Sequence, residues 1–143
     1  MLCADVNILV NAHRPEAPRH EGYKTWLEEA RRGVEPLGLP AMVLSGFLRV
    51  VTHPRVFKEP TPLETAFEFV EAVRGSPAVV PIAPGGRHWE IFAGLCRRLD
   101  ARGNTVPDAF LAAIAIEQGA TFASADRGFG GFPGLRWIDP LAT

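Results

Sequence analysis

Leu2-Cys3-Ala4-Asp5-Val6-Asn7-Ile8-Leu9-Val10 opens the chain, and the reading of these nine residues decides the fold. Leu2-Cys3-Ala4 reads as a short buried strand, Asp5 stands at its carboxyl end, and helical spacing takes over near Asn7. A strand that passes directly into a helix starts an alternating α/β pattern, and it leaves an acid at the edge of the sheet.

The pattern repeats along the chain. Residues His20 to Arg32 place Tyr23, Trp26, Leu27 and Ala30 on one helical face, with Gly33 as the stop, and Pro36-Leu37-Gly38-Leu39 reads as a second strand. After Pro40, the apolar residues from Met42 to Val51 predict a largely buried helix ended by His53-Pro54. Thr61-Pro62-Leu63-Glu64 reads as an N-cap, a first-position proline and a first-turn acid, opening a helix to Arg74. Ala78 to Ile82 is a third strand, and His88 to Leu99 is a helix with Trp89 as a core aromatic. Pro107 to Gln118 is an alanine-rich helix ended by Gly119, Thr121 to Ser124 a fourth strand, and Arg136-Trp137-Ile138 a last short one. Strands alternating with helices imply right-handed crossovers and a parallel sheet covered on both faces.

The chain has 143 residues and 47% apolar content, the size of one globular domain, and neither linkers nor repeats divide it. A single domain over 1–143 is expected. Its formal charge of −1 supplies no basic field for a polyanion, so nucleic-acid binding needs a local patch or a bound cation. Only Lys24 and Lys58 among the 15 basic residues are lysines, a bias that a GC-rich genome explains better than phosphate binding does. Cys3 and Cys96 lack metal-site spacing and read as buried free thiols of a reducing cytoplasm. With neither a signal-peptide pattern nor an apolar run of membrane-spanning length, the expectation is a cytoplasmic protein without a membrane partner.

In a parallel sheet, ligand sites gather at the carboxyl ends of the strands, where Asp5 and Asp126 are expected. Asp108 opens a helix, and a helix start at that same edge would bring a third carboxylate beside them. Three such groups in a partly dry cleft repel one another, and a hard divalent cation is the usual remedy. Each acid also has an ordinary reading. Asp108 can serve a helix dipole and Asp126 can be a turn residue before Gly128, whereas Asp5 behind a buried strand requires a compensating partner.

These residues resemble the PIN domain, in particular the VapC toxins of prokaryotic toxin-antitoxin pairs, nearly end to end. Asp5-Val6-Asn7 looks like the opening D-x-N/S motif, Asp108-Ala109-Phe110-Leu111-Ala112-Ala113 like the D-A-x-x-A-A helix, and Ser124-Ala125-Asp126-Arg127-Gly128-Phe129 like the T/S-x-D-x-x-F segment. The resemblance implies a three-layer α/β fold, with a central, mainly parallel sheet of four to five strands flanked by helices. It also implies an endoribonuclease dependent on Mg²⁺, or on Mn²⁺, with Asp5, Asp108 and Asp126 as metal-binding and catalytic acids. Asn7, Asn104 and Ser124 would hold those acids and their waters. A cognate VapB-like antitoxin, presenting an arginine to the acids, and a homodimer belong to the same expectation.

One position departs from the family pattern. A glutamate is expected in the helix after the second strand, and Gly46 stands there, within Leu44-Ser45-Gly46-Phe47-Leu48-Arg49. A domain that binds RNA or an antitoxin without cleaving is therefore the second reading. Arg14, Arg49, His53 and Arg55 are candidate RNA contacts, with a solvated basic face as the plainer account of each. Haloacid-dehalogenase-type phosphatases and response-regulator receivers also place an aspartate after the first strand. The first of these needs a second aspartate where Asn7 stands, and both need a later lysine, whereas Lys58 is the last in this chain.

Overall fold

A computed structural model describes residues 1–142. Its five strands are β1 (Leu2–Ala4), β2 (Leu37–Pro40), β3 (Val79–Ile82), β4 (Thr121–Ala123) and β5 (Arg136–Ile138). All neighbouring pairs are parallel, in the order β3-β2-β1-β4-β5. The helices are α1 (Val6–His13), α2 (His20–Ala30), α3 (Ala41–Val51), α4 (Leu63–Arg74), α5 (His88–Leu99) and α6 (Thr105–Gln118). The expected α/β fold with a parallel sheet flanked by helices is the observed one.

A parallel sheet covered on both faces has strands without polar alternation. Cys3, Ala4, all of β2, Phe122 and Ala123 are buried accordingly. The centre of α6 is buried without a break from Leu111 to Ala115, and small alanines there let α6 lie close to the sheet and to α5. Gly119, at φ 65°, turns the chain out of α6 in the left-handed region that favours glycine.

The strand order positions the site. From β1 the chain moves outward through β2 to β3, then returns to the other side of β1 with β4 and β5. Crossovers therefore leave in opposite directions between β1 and β4, and a crevice opens beyond their carboxyl ends. Asp5 directly follows β1, and Ser124-Ala125-Asp126 follows β4.

Several sequence expectations are corrected. Thr61 does not cap α4: Pro62 occupies the cap position, and the buried Thr61 hydroxyl instead accepts from Arg14 at 2.9 Å and pairs with the His13 ring at 3.1 Å. Helix α2 ends at Ala30, before Gly33, and α6 begins two residues ahead of Pro107. Trp89 is 69% exposed, and the neighbouring His88 is the buried residue, its Nε2 donating to the Phe110 carbonyl at 2.9 Å. On α5 only His88 and Leu95 are buried, and Leu99 at the far end of the helix is exposed as well.

Candidate active site

Asp5 is the N-cap of α1, and its Oδ1 accepts from the Val6 amide at 2.7 Å. Oδ2 accepts from the Ser124 hydroxyl at 2.7 Å and from Asn7 Nδ2 at 3.3 Å. The Ser124 hydroxyl in turn accepts from Asn7 Nδ2 and from the Asp126 amide, both at 3.0 Å, so its single donor and two acceptor positions are all filled. Asn7 Oδ1 takes the Ala125 amide at 3.1 Å. This network ties the end of β1 to the end of β4 and fixes the buried Asp5 carboxylate.

Asp126 caps a short 3₁₀ turn, its Oδ1 accepting from the Gly128 amide at 2.8 Å, and its carboxylate is exposed. The turn reading and the site reading of Asp126 thus coexist. Asp108 lies in the first turn of α6, half-buried. All three acids line one cleft of about 660 Å³, together with Val6, Met42, Ser45, Gly46, Arg49, Asn104, Pro107 and Leu111.

Burial, then the charges of Asp5 and Asp126, push the Asp108 carboxyl up to about 6. Asp5 is also raised: burial dominates, the hydrogen bonds from Ser124 and Val6 oppose it, and the charge of Asp126 adds to it. Among the described residues none of the three acids forms a salt bridge. Hard oxygen donors that repel one another and are held in no salt bridge suit a divalent cation. Among the described residues no group of three or more His, Cys, Asp or Glu side chains stands in a metal-holding arrangement. Mg²⁺ does not require one, since it keeps several waters and takes one or two carboxylates.

Of the basic candidates, only Arg49 reaches the cleft. The Arg14 guanidinium is committed elsewhere: it donates to Thr61 Oγ1 and to the Glu59 carbonyl at 2.8 Å, pairs with Glu16, and lies 4.1 Å over the Phe57 ring. His53 closes its own turn, Nδ1 accepting from the Arg55 amide at 3.0 Å, and neither residue lines the cleft. Asn104 does line it, as an exposed side chain before α6.

The departure at Gly46 has a physical cause. A Cβ built there would stand 2.7 Å from Val6 Cγ2, so a side chain at this position requires Val6 to shift. Ser45, beside Gly46 on α3, is exposed in the cleft. One contributor was missed from the sequence. Trp137 donates its indole N–H to the Ser124 carbonyl at 3.0 Å and steadies the Asp5 anchor from β5; a tryptophan with one polar atom in a three-residue strand was the available signal.

The parallel five-stranded sheet flanked by helices is the fold of a PIN domain, and the chain belongs to that family, whose model matches residues 2–134. Within it, similar curated proteins include VapC ribonucleases. The chain is 51% identical over 141 residues to Ribonuclease VapC43 of Mycobacterium tuberculosis (strain ATCC 25618 / H37Rv), covering 99% of this chain and 96% of that protein. To Ribonuclease VapC25 of the same strain it is 40% identical, over 98% and 99% of the two chains. Among solved structures, VapBC2 from Rickettsia felis, bound to a DNA fragment from its promoter, superimposes with a TM-score of 0.72 at 18% identity over 96% of each chain. VapC20 of Mycobacterium tuberculosis, a sarcin-ricin loop cleaving toxin, does so with a TM-score of 0.68 at 17% identity, over 95% and 99%. At these identities the structural likenesses show the fold alone.

Proposed function

We propose that this chain is the ribonuclease toxin of a toxin-antitoxin pair, an endonuclease that cuts RNA with a divalent cation, Mg²⁺ or Mn²⁺, held by Asp5, Asp108 and Asp126. The observation that carries this is that three carboxylates line one cleft and none of them forms a salt bridge among the described residues. When bound, the cation would supply an activated water and polarise the scissile phosphate, so no side-chain nucleophile is needed. The chain's own task is positioning. Ser124 and Asn7 hold Asp5 in one orientation, the Gly128 amide holds Asp126, and the start of α6 presents Asp108.

The partner reading follows from the rim. An apolar slot lined by Met42, Phe92, Val106, Pro107 and Phe110 adjoins the acidic cleft and shares Met42 and Pro107 with it. A VapB-like antitoxin that offers an arginine beside an apolar side chain would fill both at once. A homodimer and a cytoplasmic setting complete the proposal. No described helix is long and apolar enough to cross a membrane, and the free cysteines suit a reducing compartment.

Gly46 favours a second reading, a domain that binds RNA or antitoxin without turnover. Purified, antitoxin-free chain incubated with total RNA decides between them. The nuclease reading expects discrete cuts with Mg²⁺, none with EDTA, and none from Asp5→Asn or Asp108→Asn. Stable RNA binding without cuts supports the second reading.

A further inference from the structure

We propose that Arg49 is the phosphate-binding cation of this cleft, standing in for a second metal ion, so that the site takes one divalent ion per chain. The inference rests on the nuclease reading above. Gly46 and Arg49 lie three residues apart on α3, hence on one face, and both line the cleft. At Gly46 a side chain of any kind, acidic ones included, would crowd the methyl of Val6. What α3 offers the cleft in polar groups is therefore a hydroxyl, Ser45, and a cation, Arg49.

The charge balance points the same way. Three carboxylates and one guanidinium leave two negative charges, which one divalent ion balances. Two ions about 4 Å apart require carboxylates to bridge them. Here Asp5 accepts three hydrogen bonds and one oxygen of Asp126 holds the Gly128 amide, which leaves Asp108 as the carboxylate of the three without a hydrogen bond among the described residues. Arg49 is exposed and forms no salt bridge among the described residues, although three acids share its cleft. Its guanidinium fork is thus available to a phosphate, which it matches in a bidentate manner. Its place in the last turn of α3 also suits a helix dipole, and that simpler role makes a different prediction.

The test compares wild type, Arg49→Ala and Arg49→Lys. Mn²⁺ binding is followed by electron paramagnetic resonance, and binding of a mixed-sequence single-stranded RNA by anisotropy in EDTA. Wild type should bind one Mn²⁺ per chain. Removal of a like charge from the cleft should tighten Mn²⁺ about threefold in Arg49→Ala. The same substitution should weaken RNA about three- to tenfold through the lost phosphate contact, with Lys restoring part of it. Two Mn²⁺ per chain, unchanged RNA affinity, or a joint fall in both affinities would each overturn the proposal, the last marking Arg49 as a support for α3. Failure of wild type to cut total RNA with Mg²⁺ would instead refute the nuclease reading, and the two binding assays would still judge Arg49.

Discussion

The Ser124 hydroxyl donates to Asp5 Oδ2 at 2.7 Å, joining residues that stand 119 positions apart at the ends of neighbouring strands. Asp5 is buried, and this bond with the Val6 amide is what opposes its loss of solvation. Ser124→Ala would leave the carboxylate short of a partner and orphan the Asp126 amide. We expect a loss of roughly 1–3 kcal/mol in urea unfolding. RNA cleavage should fall further than that of a Ser45→Ala control, because Asp5 would no longer be held in one orientation. An unaltered unfolding midpoint would show that water replaces the hydroxyl and that the anchor is dispensable.

Asp5 was legible in the sequence because it follows directly from a strand end, where local pattern fixes position, whereas Asn7 and Ser124 entered only through the family resemblance. Asp108 was legible as a helix start, but its meeting with Asp5 depends on α6 lying across the switch point, which no local spacing reports. Arg14 and Arg49 looked alike as sequence. Arg14 is drawn away by Thr61, whose side chain itself was misread as a cap, and Arg49 is directed to the cleft by the turn of α3. Trp137 and the closed space at Gly46 are tertiary facts, set by β5 against β4 and by α1 against α3.

Asp108 predicts a pH dependence. Its carboxyl is pushed up to about 6, so in the metal-free chain the folded state holds this proton more tightly than the unfolded state does. The group's contribution is most favourable below about pH 4 and declines as pH rises toward about 6, since ionisation restores the repulsion from Asp5 and Asp126. Solvent at this half-exposed position screens the effect. In EDTA at neutral pH, Asp108→Asn should raise Tm by about 2 °C, and added Mg²⁺ should raise the wild-type Tm more than the variant's. A variant that melts lower than wild type in EDTA would contradict this.

His88 and Trp89 make opposite predictions although they are neighbours. His88 is buried and bonded to the Phe110 carbonyl, and it packs against the Phe110 ring at 4.3 Å between centroids. His88→Ala should cost about 2–3 kcal/mol, through a cavity and an unpaired carbonyl. Trp89→Ala, at a largely exposed position, should stay within about 0.5 kcal/mol. Chemical denaturation of both variants checks the pair, and equal losses would place Trp89 back in the core.

Gly46 and Val6 should be coupled. Alanine in a helix interior is favoured over glycine by up to about 1 kcal/mol, yet its Cβ at Gly46 would meet a Val6 methyl at 2.7 Å. Overpacking of that kind costs about 1–3 kcal/mol, so Gly46→Ala should be net destabilising in the wild type. In a Val6→Ala background the methyl is gone and the same substitution should become stabilising. That reversal of sign, measured as a double-mutant cycle, tests whether steric closure rather than chemistry excludes a side chain at Gly46. It also gives access to the missing acid. Val6→Ala with Gly46→Glu would add a fourth carboxylate to the cleft, and Mn²⁺ should bind more tightly than to Val6→Ala alone. If affinity did not change, the glutamate would point away from the other acids, and α3 would not be the wall through which this site could gain a ligand.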